Sequence, residues 1–573
     1  MAFFATLLIH ACLVLNQVLY TSASVINAKR DTPAKASGNG TTYFGTREGD
    51  VDVFLGIPYA QPPVGNLRFR KPRPPIPGKT VNATSFAPRC MQFVVSNTTS
   101  EDCLTLNIWR PRKSKKPMPV MIWFYGGAFF LGEAQTYPGG GLVNKSIAVD
   151  QPTIYVSFNH RLGIYGFPIG KEASAHGSRN LALYDQRAAI EWVHSHIQYF
   201  GGDPNKITLF GGSSGGIAVS YQMMFRNGQI GGAFRAAIMQ SGSPTSYRSL
   251  PQDTPARQAT YDEITAATGC NKAKDSFECL RALDIDKLQE AHVATYKLPT
   301  ELVAFYVNFP ATYGPVVHPD DDFLPEPASE LVKGGRYANI PMISGSVVDE
   351  GTWFVNNPST PAEITEFLAA DLTASAFNMN SSMTDPLLAF YPDDISAGSP
   401  YGTGNETFGR AKEFKRIASL VGDLAFNAPR RAFIQQAAAR RQKIWQRSYL
   451  FTQQSPSAPP GWGVYHTLET TYILGAPPAN ATAGDYQVSN YIMEYWLNFV
   501  HFLNPHPMDS KLPGMLNVLP KMTFDDKLWV LAWPPYDSAR TLLQIHADNY
   551  TLIPDDYRED VNSFIMGKSS LLL

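Results

Sequence analysis

The sequence of 573 residues predicts an α/β fold in which a central, mostly parallel sheet is covered by helices on both faces. Two observations carry that reading. The runs "PVMIWFY" (119–125) and "TIYVSFN" (153–159) are continuously apolar, β-branched and aromatic, the composition of strands buried on both faces. From 180 to 200 the apolar period becomes that of a helix, with Tyr184, Ala188 and Trp192 at i, i+4 and i+8 and a stop at Gly201 and Gly202.

Taken in chain order, the first element is "MAFFATLLIHACLVLNQVLYTSASVINAKR", apolar from Ala2 to about Leu19 and then small and polar. It lacks a basic n-region, but its length, its position and the small residues Thr21 and Ala23 mark 1–23 as a secretory signal peptide, leaving 24–573 as one domain. An uncleaved anchor is the rival reading, against which His10, Asn16 and Gln17 interrupt the run. The dibasic pair Lys29 and Arg30 offers a second cut. After the two strands and the helix come a short strand "KITLF" (206–210), a helix "IAVSYQMMF" (217–225), and strands at "AAIMQ" (236–240) and "IPMIS" (340–344). The segments 250–330 and 360–440 are helix-rich and read as insertions that shape a substrate cleft. No repeat, no long linker and no later bilayer-spanning run breaks this order.

Composition bounds the function. With 44% hydrophobic and 12% aromatic residues the chain can bury a large core, and a net charge of -1 gives no electrostatic reason to expect nucleic acid or an anionic membrane as partner. The "GKT" at 78–80 and "GKS" at 567–569 have no glycine where a phosphate loop requires one, at Arg73 or Asn562, and read as surface turns. Cys12 leaves with the signal; Cys90, Cys103, Cys270 and Cys279 remain, an even number for an oxidising compartment, with three pairings open and the nearest-neighbour one the simplest. Sequons at Asn39, Asn82, Asn97, Asn144, Asn380, Asn405, Asn480 and Asn549 agree with a secreted glycoprotein.

"LFGGSSGG" (209–216) sits between the predicted strand and helix, where a nucleophile elbow G-x-S-x-G belongs. The pattern fits twice, at Gly211-Ser213-Gly215 and at Gly212-Ser214-Gly216. The elbow needs small residues on either side of a strained serine, and both registers supply glycine, so local sterics leave the choice open.

The surrounding stretch carries a resemblance that makes the choice. "NLALYDQRAAIEWVHSHIQYFGGDPNKITLFGGSSGG" (180–216) resembles the diagnostic segment of the type-B carboxylesterase/lipase family, whose elbow usually reads F-G-E-S-A-G-G. "FLGIPYAQPPVGNLRF" (54–69), "SEDCLTLNIW" (100–109), "VMIWFYGGAFFLG" (120–132), "AAIMQSGSP" (236–244) and "VVDEGTWF" (347–354) are similar too. The resemblance runs from about 40 to 550 and implies an α/β-hydrolase fold with helical insertions, hydrolysing carboxylic esters without metal or organic cofactor. It assigns Ser213 as nucleophile.

The fold supplies nucleophile, acid and histidine in that order. Of six histidines after Ser213, the resemblance selects His466, in "GVYHTLETTYILG". Asp349 and Glu350 are adjacent, and because successive side chains near a strand end diverge, only one can meet His466; the resemblance assigns Glu350, leaving Asp349 to cap or fix a loop. It also implies oxyanion donors at the backbone N–H groups of Gly127, Ala128 and Ser214. Ser241 in "QSGS" reads either as a hydrogen-bond partner of the acid or as an ordinary strand-end serine. His318 beside Asp320, Asp321 and Asp322 reads as an exposed acidic turn rather than a metal site.

Departures from the family matter. Gly212 stands where most members have glutamate, and Ser214 where alanine is common. Cholinesterases stack choline on a tryptophan inside their first disulfide loop, and "MQFVVSNTTSED" (91–102) has none. In lipases of the family that loop is a long lid; twelve residues fully extended reach about 40 Å before having to return, enough for a rim and hardly for a cover. Phe129, Phe130, Trp353 and Phe354 suggest an apolar site or ordinary core. Triglycerides, sterol or carotenoid esters, feruloyl esters and short aryl esters all remain open as substrates, as does the oligomeric state. A catalytically silent adhesion or scaffold protein of the same fold is the alternative, told apart by a fluorophosphonate probe.

Overall fold

Strand order in the sheet follows the apolar pattern, with the continuously buried strands in its middle. The computed structural model describes residues 33–94, 96–296, 313–369, 379–440, 446–506, 533–537, 539–547 and 550–568. The signal segment 1–23, Lys29, Arg30 and Asn549 lie outside the described residues.

Among the described residues thirteen strands form one sheet. They are β1 (Ala34–Gly38), β2 (Thr41–Glu48), β3 (Val51–Pro58), β4 (Thr80–Asn82), β5 (Thr105–Pro111), β6 (Met118–Phe124), β7 (Ile154–Phe158), β8 (Gly202–Gly212), β9 (Ala236–Gln240), β10 (Met342–Val347), β11 (Gln446–Phe451), β12 (Thr541–Ile545) and β13 (Thr551–Pro554). The spatial order is β1-β2-β3-β5-β7-β6-β8-β9-β10-β11-β12-β13, with β4 on β2. From β7 to β12 every pair is parallel, whereas β1, β2, β3 and β5 at one edge and β13 at the other join antiparallel. All residues of β6, β7, β9, β10 and β11 are buried, as strands covered on both faces must be.

Alternation along β8 sorts the core. Leu209 joins Ile190 and Val219 beneath helices α1 (Leu181–His196) and α2 (Ser214–Gly228), while Phe210 faces the other way into Trp123, ring centroids 4.8 Å apart, and Trp496. The helix expected over 180–200 is α1 followed by a 3₁₀ turn over Ile197–Phe200, closed by Gly201 at φ 80°. Tyr184 and Ala188 of the expected stripe are only half-buried, because α1 is covered on more than one side and its deepest residues are Leu183, Ile190 and Val193. α2 starts three residues earlier than expected, immediately behind Ser213, and loses helical geometry at Phe225.

The insertions are helical as expected, including α3 (Ile285–Ala294), α4 (Phe414–Gly422) and α5 (Ala428–Ala439). Cys90 is bonded to Cys103 and Cys270 to Cys279, the nearest-neighbour pairing. The seven sequons among the described residues all present an exposed asparagine. Among the described residues, no helix is long and apolar enough to cross a membrane.

Candidate active site

Because β6 and β8 are parallel neighbours with Phe124 opposite Gly211, the two strands end level and their following loops meet. β8 turns into α2 at Ser213, whose φ of 57° and ψ of -130° lie outside the regions an ordinary residue adopts. Such a residue costs roughly 1–3 kcal/mol and persists only where its surroundings fix it. They do: Ser213 N–H donates to Gln240 O at 2.8 Å. A side chain on Gly242 would place its Cβ 2.2 Å from Ser213 O.

The two registers of "GGSSGG" are sterically unequal. A Cβ on Gly215 would lie 2.1 Å from Phe124 O, and one on Gly211 2.7 Å from Gly215 C and 2.8 Å from Phe124 Cβ. On Gly212 the nearest atoms, Thr470 Oγ1 and Trp123 Cη2, are at 3.4 Å, an ordinary contact. The glycines that the turn requires are therefore those flanking Ser213, and Ser214 is the first residue of α2.

Beyond β6 the backbone enters a run of positive φ: 122° at Gly127, 50° at Ala128 and 67° at Phe129. Phe130 N–H and Leu131 N–H both donate to Gly127 O at 3.1 Å, and Gly163 N–H donates to Phe129 O at 3.0 Å. Among the described residues no hydrogen bond takes up the N–H of Gly127, Ala128 or Ser214. Gly126 lies against the elbow, a Cβ there falling 2.9 Å from Gly212 O and from Ser213 Cβ.

The acid follows the end of β10, and the histidine lies in the long segment after β11. Glu350 accepts from His466 Nδ1 at 2.5 Å through Oε2 and from Val347 N–H at 3.0 Å through Oε1, and both side chains are buried. His466 Nε2 is buried without a hydrogen-bond partner among the described residues. The imidazole is walled by Phe354 and Phe426, ring centroids 4.7 and 4.6 Å away. Asp349 points the other way and fixes loops: it accepts from Ser399 Oγ at 2.8 Å, Tyr401 N–H at 2.9 Å and Val464 N–H at 2.9 Å. Burial raises its carboxyl above the usual range, and these donors oppose that shift. An isolated β-bridge between Asp349 and Tyr465 ties the segments carrying Glu350 and His466 together.

Other candidates separate. Ser241 does not reach Glu350; at φ 49° its Oγ donates instead to Glu469 Oε1 at 3.3 Å, because Glu469 on the turn after His466 occupies the space beneath β9. Phe129 and Phe130 are core, 2% and 5% exposed, whereas Trp353 and Phe354 are half-buried beside His466. His292 is buried against Ile164 N–H and Tyr296, with burial lowering it to about 3, and His501 bonds Thr153. In the acidic turn Asp321 accepts from Phe323 N–H and Leu324 N–H and Asp322 pairs with Arg226, while Asp320 is exposed 3.9 Å from His318. Among the described residues no group of acidic, histidine or cysteine side chains could hold a metal.

The profile of the carboxylesterase family matches residues 25–561. This chain belongs to the carboxylesterase family. It is accordingly a carboxylic ester hydrolase on an α/β-hydrolase fold. Similar carboxylesterase-family relatives are Lipase 4 of Diutina rugosa, 34% identical over 93% of this chain and 96% of its own, and Lipase 2 of Geotrichum candidum, 31% identical over 95% and 97%. Secreted triacylglycerol lipase LIP1 of Gibberella zeae is 33% identical over 95% and 92%. The crystal structure of Aspergillus niger EstA superposes with a TM-score of 0.78 at 25% identity, covering 95% of this chain and all of that one.

Gly212 faces Thr467, Thr470 and Trp123. Glu469, in the same segment as those two threonines, is a buried carboxyl whose Oε1 also accepts from Tyr449 OH at 3.2 Å. Burial, and next the charge of Glu350, push Glu469 up to about 8. Sequence reasoning passed over Glu469 and Phe426. For Glu469 the signal was available, a carboxylate three residues after the candidate histidine inside an otherwise uncharged stretch; for Phe426 there was none.

Proposed function

We propose that the protein is a secreted serine hydrolase that cleaves carboxylic esters through an acyl-enzyme. Ser213 Oγ attacks the ester carbonyl while His466 Nε2 takes its proton, and Glu350 holds the imidazole by Nδ1 and stabilises the imidazolium. The N–H groups of Gly127, Ala128 and Ser214 receive the oxyanion. Collapse expels the alcohol, which takes the proton from His466. Water, deprotonated by His466, then attacks the acyl-enzyme, and the carboxylic acid leaves with Ser213 restored.

The observation that carries this reading is the buried Glu350–His466 pair with its second nitrogen unbonded, together with a serine on a strained turn whose neighbour Gly212 faces Thr467, the residue after His466. Secretion is supported by the apolar N-terminus, the two disulfides, the exposed sequons and the name of the Gibberella relative. The name of the Gibberella relative, a triacylglycerol lipase, favours triacylglycerols as substrates.

Labelling with a fluorophosphonate, combined with Ser213→Ala and Ser214→Ala, tests the mechanism. Ser213→Ala abolishes labelling and lowers kcat by roughly a million-fold, as expected where nucleophile, base and acid act as a unit. Ser214→Ala keeps its backbone N–H and its activity. A silent scaffold protein takes no label in the first place, and an inactive Ser214→Ala beside an active Ser213→Ala overturns the register.

A further inference from the structure

The oxyanion loop is a nearly closed ring. A Cβ on Gly132, at φ 120°, would lie 2.5 Å from Gly126 O, so the end of the loop rests on its beginning. Between them Ala128 and Phe129 are held left-handed without the freedom of glycine, so something must keep the ring shut.

The side chain that grips its end comes from the disulfide loop. Gln92 Oε1 accepts from Gly132 N–H at 3.1 Å, and Gln92 Nε2 donates to Gly132 O at 3.3 Å and to Cys90 O at 3.1 Å. The carboxamide thus pairs with Gly132 at two points, as a neighbouring peptide group would, and is itself only 4% exposed. Its own backbone is anchored in turn: Gln289 Nε2 of α3 donates to Gln92 O at 2.7 Å, and Tyr165 OH donates to Gln289 Oε1 at 2.8 Å. The disulfide to Cys103 fixes Cys90, and Arg89 reaches Glu133 at 3.5 Å, one residue past the ring.

We propose that Gln92 is a positioning residue for ester hydrolysis, holding the oxyanion loop in its left-handed conformation so that the disulfide loop serves as a brace for the oxyanion donors. This rests on the reading of Gly127 and Ala128 as those donors. The chemistry is specific to glutamine. Glutamate can accept from Gly132 N–H but sets an oxygen against Gly132 O; methionine keeps the length and can do neither. The consequence falls on the transition state, because the donors must meet a tetrahedral oxyanion while the ground-state ester is held mainly by apolar contacts.

The test compares the full-length protein with Gln92→Glu and Gln92→Met, each titrated with a fluorophosphonate to count active sites. kcat on p-nitrophenyl butyrate per titrated site falls about 10- to 100-fold with KM changed less than about threefold, a loss of the size that misplacement by about an ångström produces. Affinity for a boronic acid that mimics the tetrahedral intermediate falls in proportion to kcat. If Gln92→Met does not fold, Gln92→Glu decides alone. A lowered melting temperature with kcat and boronate affinity unchanged overturns the proposal, because a merely structural tie would give that result. A wild type that takes no fluorophosphonate overturns the reading of Ser213 itself, and this proposal with it.

Discussion

Alanine at Gly215 will cripple the enzyme, whereas alanine at Gly212, three residues away in a motif that reads the same in both registers, will leave it working. Gly215 lies in the first turn of α2, where alanine in place of glycine ordinarily stabilises a helix by about 1 kcal/mol. Here the new Cβ would stand 2.1 Å from Phe124 O and 2.8 Å from Tyr125 O, both backbone atoms of β6 and its exit. A carbon and a carbonyl oxygen settle near about 3.3 Å, so α2 must retreat from β6 by about 1.2 Å. That movement separates Ser213 and Ser214 N–H from Gly127 and Ala128, and a displacement of this size costs on the order of 100-fold in rate. At Gly212 the nearest neighbours stand at 3.4 Å, nothing has to move, and kcat stays within about threefold. The assay is kcat and KM on p-nitrophenyl butyrate per active site titrated with a fluorophosphonate, beside melting temperature. An active Gly215→Ala with an inactive Gly212→Ala would mean that the turn is built on Ser214, and the steric argument would be wrong.

Three further outcomes follow from the geometry. Glu350→Gln lowers kcat by at least about a thousandfold at unchanged stability, whereas Asp349→Asn, which puts an amide against Val464 N–H or against Ser399 and Tyr401, costs about 1–3 kcal/mol in unfolding free energy; equal kcat losses in two equally stable variants would refute the division of labour. Glu469 is held neutral up to about 8 against an ordinary 4.5, so the unfolded chain releases its proton first and the folded state loses up to about 1.4 kcal/mol per pH unit across that window. Glu469→Gln therefore gains melting temperature over the wild type progressively from pH 5 to pH 8 and no further above it, and a gap constant with pH would count against a neutral Glu469. Finally, Met91 is buried, Phe93 packs on Tyr296 with ring centroids 5.1 Å apart, and Gln92 is bonded on both sides, so these residues of the disulfide loop are already committed to packing and are not free to lift as a lid. Initial rate against tributyrin concentration will rise as one smooth saturating curve through the solubility limit, and a jump when emulsion forms would show that some other segment covers the site.

The sequence by itself determined the parallel centre of the sheet and the neighbourhood of the reaction, because both are written in contiguous residues. Strands buried on two faces must be apolar throughout, which made β6, β7 and β9 readable, and a strained elbow must have glycines, which made 209–216 readable. Strands that carry polar residues escaped: β11 buries Gln446 and Arg447, whose guanidinium is taken up by Trp533 O and Asn504, and that compensation is invisible along the chain. Residue types alone could not separate Ser213 from Ser214 or Glu350 from Asp349, since each pair differs only in direction. Tertiary structure separates the members of each pair through contacts made by distant segments, which support the proposed roles: Phe124 O closes on Gly215, Val464 N–H and Ser399 bond Asp349, and His466 bonds Glu350. It also sent Ser241 to Glu469 and brought Gln92 to Gly132, because a side chain's partner is set by which loops the parallel strands deliver to the same end of the sheet, and sequence spacing does not encode that distance.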